Sequence, residues 1–597
     1  MGLMQQAYRT FECAKERAGV YEEGITPLAP IFHKVMGAGI EVTLDERGGF
    51  IQACMVPDGE TDTISPVTIE SESRTSGVCP HPLCEQAKYL MPKNKKHYSE
   101  YISGLEDWAS SEYSHPAVRP VLDYVKKGTF EQDIAVLFES TGKKNKKTLK
   151  DNTLVRWRVI GIGSQSGPCW DNADLFDAYI RYYTAVTSNG PSGLCMITGE
   201  TGVLTDKHPK SIVSSAANAK LISSNDENNF VFRGRFLEAD EALTVSLEAS
   251  QKAHNAIRWI AKNQGLYTKA GCILVWDPEG KKLPKPLSIM TPPGGGKEDV
   301  YTLKEYKDGL SKAVYGWKRE FLPSTEAVIA VFTALTSGRI SVMYYNEINA
   351  SEFTDRLAEW DGSCCWAYGD GKIGAASLYD IAKYASGKYK GDVIDTGNRR
   401  FEKDLARLLS CRLGEAKIPK DTVKSLVMKA GNLHLYGDSK ESGWMRRKLL
   451  FVTCAAVRKY YCDYHKEEWE MSLEPGKVDR SYQFGRLLAV LEKAERDTYS
   501  GTEKREPKAM CMQQAFTRRP MHTSRLLIEH VKRCYFRKLK PGARVMYSRL
   551  IDQIMEAVSS LPDTDKPLED TYLFGYSLQK NDLYKKKEEK QEEKAES

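Results

Sequence analysis

The sequence lacks the features that mark membrane and secreted proteins. No run of 18 apolar residues occurs in its 597 residues and the mean hydropathy is −0.48, so no transmembrane helix is expected. The first 19 residues carry five charged side chains instead of the apolar core of a signal peptide, and they predict a short amphipathic helix. The 14 cysteines follow no regular disulfide framework, which indicates a reducing compartment. We therefore expect a cytoplasmic protein with no membrane partner.

Signatures of common enzymes are missing as well. None of the ten histidines stands in an H-E-x-x-H or H-x-x-E-H pattern, and no G-x-S-x-G occurs. Residues 161–167 have the wrong glycine spacing for a dinucleotide loop, and in 292–298 a glutamate replaces the Mg²⁺-binding hydroxyl of a phosphate loop. Cys79, His81 and Cys84 lack the second pair of ligands that a structural zinc site needs. The sequence predicts no catalytic residue, metal or cofactor, although carboxylates assembled only by the fold leave a metal-dependent nuclease as the alternative.

Positive charge is concentrated locally although the net charge is only +6. Residues 141–150 hold five lysines and no acidic residue. Residues 502–549 hold thirteen Lys or Arg against three Glu. Such concentrations favour a polyanionic partner, and a solvated helix face with a lysine-rich loop would give the same pattern.

Hydrophobic periodicity and turn signals predict an α+β fold, in which mixed N-terminal and middle domains precede a C-terminal helical bundle. The predicted domains are an α/β domain at 1–142, a mixed α/β domain at 151–350, a helical domain at 355–584 and a disordered charged tail at 585–597. The predicted elements are a hairpin at 40–56, strands at 155–162 and 272–276, and helices at 174–186, 446–470, 481–499 and 524–540.

Five stretches occur in an order that is typical of one protein family. They are 75–90; 194–200 with 208–212; 221–225 with Phe230; 245–260 with Trp276; and 482–492 with 574–576. Together they resemble the large subunit of the type I-C CRISPR surveillance complex (Cascade), the Csd family. The stretches span nearly the whole chain, so the resemblance concerns all of the predicted domains.

This resemblance implies a non-catalytic subunit of an RNA-guided complex. Such a subunit senses the protospacer-adjacent motif, helps to open the target duplex, holds the displaced strand and recruits a helicase-nuclease, while guide pairing reads the sequence. The implied partners are the CRISPR guide RNA, double-stranded target DNA and its displaced single strand, the Cascade backbone subunits, the guide-processing subunit, a small subunit and the helicase-nuclease.

Nucleic-acid-binding residues are predicted where cations accompany polar side chains, because Lys and Arg neutralise phosphates while Asn, Ser and Thr reach base edges. The resemblance assigns motif recognition to the N-terminal part, where the candidates are Arg74, Thr75, Ser76, Lys93, Asn94, Lys95 and Lys96. The lysine-rich loop adds Lys143, Lys144, Lys146 and Lys147.

The predicted helix at 524–540 has one apolar and one basic side. Its apolar stripe consists of Leu527, Ile528, Val531, Cys534, Tyr535 and Leu539, with Phe536 on the opposite side. The basic candidates in and before this helix are Arg518, Arg519, Arg525, Lys532, Arg533, Arg537, Lys538 and Lys540. Lys538 falls on the apolar stripe, and its long side chain is expected to reach solvent from there.

The resemblance also implies that the C-terminal region is made separately as a small subunit. Met471 is a candidate internal start because the codons of Lys466, Glu467 and Glu468 can spell a purine run like a bacterial ribosome-binding site. The product, residues 471–597, would be long enough for a small helical bundle. Met428 and Met445 are alternative starts.

Overall fold

The computed structural model describes residues 1–74, 77–138, 149–213, 218–223, 243–268, 271–293, 299–334, 338–369, 371–390, 393–436, 440–500, 503, 505–561 and 565–585. The chain forms two compact units, one of residues 1–282 with 326–347 and the other of residues 283–325 with 348–597. Of the residues in the structure, 49% are helical and 17% lie in strands, and the strands form several small sheets. These proportions confirm the predicted α+β class. None of the described helices combines the length and the apolarity needed to cross a membrane.

A six-stranded sheet organises the first half of the first unit. Its order is β2-β1-β5-β4, with β3 paired to β1 and β6 paired to β5. The strands are β1 (His33–Leu44), β2 (Phe50–Met55), β3 (Asp62–Pro66), β4 (Glu85–Gln86), β5 (Leu154–Val159) and β6 (Gly167–Pro168). The antiparallel pair β1–β2 confirms the predicted hairpin, whose turn forms because Asp45 Oδ1 accepts hydrogen bonds from the amides of Arg47 (2.8 Å) and Gly49 (2.6 Å).

Helices cover this sheet and complete its core. The helices of the first unit are α1 (Leu3–Cys13), α2 (Ile69–Ser73), α3 (Lys95–Ala109), α4 (Val118–Lys127), α5 (Phe130–Asp133), α6 (Ala173–Thr187) and α7 (Leu247–Gln264). Alternate residues of β1 and β5, including Val42 and Trp157, point inward and are fully buried. They belong to one apolar cluster with Trp108 of α3 and Tyr179 of α6. Burial of these large side chains is what fixes the helices on the sheet.

A second sheet lies in the other half of the first unit. Its order is β12-β11-β10-β9. These strands and a separate pair are β7 (Ser192–Leu194), β8 (Thr201–Val203), β9 (Leu266–Tyr267), β10 (Gly271–Trp276), β11 (Glu326–Ala334) and β12 (Ile340–Asn349). Ser246 caps α7 by accepting a hydrogen bond from the amide of Ala249, and Ile257 and Ile260 pack on this sheet beside α1.

The second unit is mainly helical. Its helices are α8 (Leu303–Lys318), α9 (Ala350–Ser363), α10 (Leu378–Ser386), α11 (Arg399–Arg412), α12 (Lys420–Ala430), α13 (Lys440–His465), α14 (Arg480–Arg496), α15 (Lys508–Cys511), α16 (Gln513–Arg518), α17 (Pro520–Cys534), α18 (Pro541–Ser559) and α19 (Tyr572–Tyr584). Its strands pair as β13 (Cys365–Tyr368) with β14 (Lys372–Ala375), and β15 (Lys388–Lys390) with β16 (Val393–Asp395). The helix predicted at 446–470 ends at His465, because Lys466 takes a left-handed backbone conformation with φ of 60°.

The C-terminal helices pack around a close crossing of α14 and α19. Gly485 and Gly575 allow the two backbones to touch, since a Cβ at either position would overlap a carbonyl oxygen of the other helix. Helices α17 and α18 then pack against α14. Their buried residues Leu527, Val531 and Ile551 continue this core.

Candidate nucleic-acid interface

Four cationic side chains that are far apart in the sequence face one another in the first unit. This cation cluster consists of Lys34 on β1, Arg74 directly after α2, Lys210, and Arg258 on α7. Two buried carboxylates, those of Glu72 and Glu85, lie among the cations. The group therefore carries an excess of two positive charges when all its members are ionised.

Arg74 is held by the interior of the unit. Its Nη1 lies 3.2 Å from Oε2 of the fully buried Glu85. The same nitrogen donates to the Tyr89 hydroxyl at 2.9 Å and to the carbonyl of Cys79. Only 14% of the Arg74 side chain is exposed, so a base would reach its guanidinium only after the ion pair opened. These contacts fix the backbone that leads into residues 75 and 76.

A chain of hydrogen bonds joins the other members of the cluster. Arg258 donates to the Glu72 carboxylate and to the carbonyl of Lys210. Gln251 Nε2 donates to the second oxygen of Glu72 at 2.5 Å. The Lys210 ammonium in turn donates to the carbonyl of Arg74. Three distant segments of the chain are thus connected at one place.

Lys34 is the member of the cluster that has no partner among the described residues. Its pKa is lowered to about 7, first by burial and then by the neighbouring cations Arg258, Lys210 and Arg74, against the opposing effect of Glu72. Arg258 Nε is buried close by and also lacks a hydrogen-bond partner. An anion beside the Lys34 ammonium would accept its hydrogen bonds and offset the excess charge, so the cluster is suited to a phosphate.

The predicted loop after Met91 lies near Arg74, with Tyr89 between them. The His97 ring packs edge-on against Tyr89 with the centroids 4.8 Å apart, and the Arg74 guanidinium carbon lies 5.3 Å from the Tyr89 ring centroid. Lys95 and Lys96 open α3 and are exposed. The remaining two candidates are already bonded, since Lys93 pairs with Glu131 at 2.5 Å and the Asn94 amide donates to the carbonyl of Lys88 at 3.0 Å. Thr75, Ser76, Lys143, Lys144, Lys146 and Lys147 lie outside the described residues.

The C-terminal candidates form an exposed basic surface in the second unit. The C-terminal basic surface consists of the exposed residues Arg518, Arg519, Arg525, Arg537, Lys538 and Lys540, none of which pairs with an acidic side chain in the described part of the chain. Arg544 and Arg549 of α18 line a neighbouring cleft of about 480 Å³ beside Phe536, together with Asp552 and Glu556. The charges of two other candidates, Arg533 and Lys532, are partly neutralised. Arg533 pairs with Glu529 at 2.6 Å, and Lys532 lies 3.8 Å from Asp552.

The predicted single helix at 524–540 is wrong in its second half. Helix α17 ends at Cys534, Tyr535 leaves the helical conformation with φ of −122°, and 536–538 form a short 3₁₀ turn. The break buries the adjacent aromatic rings of Tyr535 and Phe536 together, which one continuous helix face cannot do. Cys534, which was predicted to belong to the apolar stripe, is exposed as a consequence. Lys538 is also exposed, and it lies in the turn and not on an apolar helix stripe.

Sequence reasoning missed Lys34, Lys210 and Arg258. Lys210 and Arg258 lie within stretches that carry the family resemblance, 208–212 and 245–260, and this was the one available signal. No pattern marks Lys34, because a single lysine in a strand is ordinary. Only the tertiary fold brings these three side chains to Arg74.

The described residues contain no cluster of metal-binding side chains. No three His, Cys, Asp or Glu side chains in these residues are placed to hold one metal ion. Two of the residues considered as zinc ligands from the sequence have other surroundings. His81 Nδ1 lies 2.9 Å from Ser71 Oγ, and Cys84 is fully buried.

The sequence matches the model of one family of known proteins, described as CRISPR-associated protein (Cas_Csd1), over residues 6–584. The search among curated proteins finds no match. The family match includes both compact units, the cation cluster and the C-terminal basic surface. The chain therefore belongs to the Cas_Csd1 family of CRISPR-associated proteins and is a large subunit of type I-C Cascade.

Proposed function

We propose that this subunit is non-catalytic, senses the protospacer-adjacent motif, helps to open the target duplex, holds the displaced strand and recruits the helicase-nuclease. The observation that supports the proposal best is the cation cluster, where Lys34 has no partner among the described residues and lies in a region of excess positive charge. A duplex phosphate would accept hydrogen bonds from its ammonium, and positioning on phosphates precedes any reading of bases. Arg74 acts as a positioning residue through its buried ion pair with Glu85, and base reading is assigned to the neighbouring residues Thr75 and Ser76.

The displaced strand is assigned to the C-terminal basic surface. Its arginines and lysines lack acidic partners among the described residues, so they are free to replace the counterions of a nucleic acid. Exposed cations spread over α17, the following turn and α18 match a strand whose phosphates are spaced along a line.

Replacing Arg525, Arg537 and Lys540 with alanine is expected to make target binding by the assembled complex less sensitive to salt. Each lost phosphate contact lowers the slope of log affinity against log salt by about 0.7 for a single strand, so the three together lower it by about 2. Arg533→Ala is the matched control, because Glu529 already offsets its charge. The preference for the correct motif should stay unchanged in both variants.

An unchanged slope in the triple variant would contradict the assignment of the displaced strand to this surface. A change in motif preference would place motif sensing there instead. The same samples, incubated with Mg²⁺ and labelled DNA, test the non-catalytic part of the proposal. Cleavage that is lost when a pair of carboxylates is mutated would overturn that part in favour of a nuclease.

We also propose that residues 471–597 are produced as a separate small subunit. Helices α14 to α19 pack on one another and share buried residues such as Leu487, Ile551 and Leu573, so the fragment contains a core of its own. It carries the complete C-terminal basic surface. Several copies would extend a positive track along the displaced strand.

Mass spectrometry of the complex expressed from its native gene is expected to find a fragment that begins at Met471. Met471→Leu should abolish the fragment while the full-length chain remains. A fragment that persists in this variant would indicate another start, such as Met445 or Met428. Absence of any fragment from the native gene would contradict the proposal.

A further inference from the structure

A second group of exposed cations surrounds aromatic rings in the second unit, far in sequence from the C-terminal basic surface. The loop between α11 and α12 lies against the C-terminal turn of α13. Two hydrogen bonds hold it there, one from the Ile418 amide to Asp463 Oδ2 at 2.9 Å and one from the Tyr464 hydroxyl to the Ile418 carbonyl at 3.2 Å. Ile418 itself is fully buried. The loop position is therefore fixed by the fold.

This loop places two lysines over one tyrosine. The ammonium groups of Lys417 and Lys420 lie 4.9 Å and 4.5 Å from the centroid of the Tyr464 ring. Both lysines are exposed, and neither pairs with an acidic side chain in the described ranges. The attraction of the ring for the cations holds the two charges together without neutralising them.

The neighbouring acidic groups are already used by the protein. Asp463 pairs with Lys459 at 2.9 Å, and Asp421 accepts two hydrogen bonds from Arg407. Lys424, one turn further along α12, is exposed and also has no acidic partner among the described residues. The surface consequently keeps a local excess of positive charge, which is complementary to a phosphate backbone.

Tyr460 supplies an aromatic surface next to the two lysines. Its ring lies 4.9 Å from the Tyr464 ring, centroid to centroid, with the planes inclined by 34°. The side chain is half-buried and its hydroxyl has no hydrogen-bond partner among the described residues. A partly exposed ring beside unneutralised cations is the combination by which proteins bind unpaired nucleotides, since bases stack on the ring while phosphates contact the cations.

We propose that Lys417, Lys420 and Tyr460 bind a short run of unpaired nucleotides, with Tyr464 holding the two lysines in place. The proposal deepens the proposed function, on which it rests for the source of the strand. Single-stranded DNA and single-stranded RNA share the required chemistry, and the experiment distinguishes them. A duplex fits less well because its bases are stacked on each other and leave no face for Tyr460.

Fluorescence anisotropy of the full-length chain with labelled oligodeoxythymidylate and oligouridylate tests the proposal. Lys417→Ala with Lys420→Ala is expected to weaken binding of at least one oligonucleotide by about tenfold and to lower its salt slope by about 1.4. Tyr460→Leu is expected to weaken binding by about fivefold with an unchanged slope, because stacking releases no counterions. Tyr460→Phe keeps the ring and should bind like the wild type. Circular dichroism establishes that each variant is folded.

The matched control is Lys304→Ala with Lys312→Ala, which removes two exposed charges from α8 in the same unit. Binding by the Lys417 and Lys420 variant that equals this control would overturn the proposal. Equal competition by unlabelled duplex, or by polyglutamate, would overturn it as well, because either would indicate a purely ionic site. Motif-dependent duplex binding by the assembled complex is measured in parallel. If motif-dependent duplex binding persists while the substitutions at Lys417, Lys420 and Tyr460 leave oligonucleotide binding unaffected, this inference fails and the proposed function stands.

Discussion

A complex carrying Lys34→Met and Lys210→Met is expected to bind motif-containing target duplex about 100-fold more weakly at pH 7 than the wild-type complex does. The Lys34 ammonium loses its hydrogen bond to a charged phosphate, which contributes about 1.5–3 kcal/mol, and the loss of the Lys210 charge weakens the attraction for the phosphate further. An effect of this size is therefore expected. Both substitutions keep an unbranched side chain of similar length. The measurement is an equilibrium titration of labelled duplex with the assembled complex.

Lys207→Met is the matched control for this experiment. Lys207 lies three residues from Lys210, but it pairs with Glu70 at 3.3 Å on the surface and does not belong to the cation cluster. Its replacement should change affinity less than twofold, as is usual for an exposed pair. Wild-type affinity in the double variant, or an equal loss in the control, would contradict the role of the cluster.

The same site predicts a pH dependence of duplex binding. The pKa of Lys34 is lowered to about 7 by burial and by Arg258, Lys210 and Arg74, so its ammonium is fully formed only below neutral pH. Duplex affinity of the wild type should therefore rise as the pH falls from 8 to 6. Lys34→Met should flatten this rise. His81 also faces the cluster, and burial holds its pKa well below the usual range, so it stays neutral in this window.

The free energy of unfolding should change with pH in the direction opposite to duplex affinity. The folded Lys34 has a lower pKa than the 10.5 of the unfolded chain, so the unfolded state binds more protons between about pH 7 and pH 10.5. The contribution of Lys34 to the free energy of unfolding therefore rises with pH across this range and is constant below it. Loss of the Lys34 proton with rising pH thus weakens duplex binding, while the contribution of Lys34 to the free energy of unfolding increases.

Gly485→Ala is expected to lower the free energy of unfolding of the second unit by about 3 kcal/mol or more, because overpacking here displaces backbone rather than a side chain. A Cβ at this position would overlap the Tyr572 carbonyl oxygen and lie 2.8 Å from the Tyr576 amide nitrogen. Gly575→Ala meets the Tyr482 carbonyl in the same way. Both variants separate α14 from α19. Urea unfolding followed by tryptophan fluorescence measures the change.

Gly542→Ala is the control for backbone entropy. Gly542 lies in the first turn of α18, and a Cβ there would meet no atom within 4 Å. Alanine in an open helical position stabilises by about 0.5–1 kcal/mol relative to glycine. A Gly485→Ala variant that is as stable as the wild type would show that the backbones of α14 and α19 are not in contact at this position.

Local patterns predicted much of the fold. The hairpin at 40–56 was predictable because a polar, glycine-containing turn separates two apolar runs, and the strand at 272–276 because a short apolar run has turn signals on both sides. The break after Cys534 was not predictable in this way. It depends on the burial of two adjacent aromatic rings, Tyr535 and Phe536, which periodicity along a single helix does not encode.

The C-terminal basic surface and the cation cluster also differ in how far the sequence could predict them. The C-terminal basic surface was visible because its cations are neighbours in sequence, and the pairing of Arg533 with Glu529 follows from their spacing of four residues on one helix. The cation cluster was hidden because its members come from four distant segments. Lys34 in particular owes its lowered pKa first to burial and then to Arg258, Lys210 and Arg74, and all three of these are distant from it in the sequence.

An electron cryomicroscopy map of the assembled complex on motif-containing target DNA tests the central claim most directly. We expect a phosphate of the motif-proximal duplex within hydrogen-bonding distance of the Lys34 or Lys210 ammonium. A map in which another Cascade subunit covers the cation cluster, while the motif duplex lies elsewhere on the complex, would contradict the account.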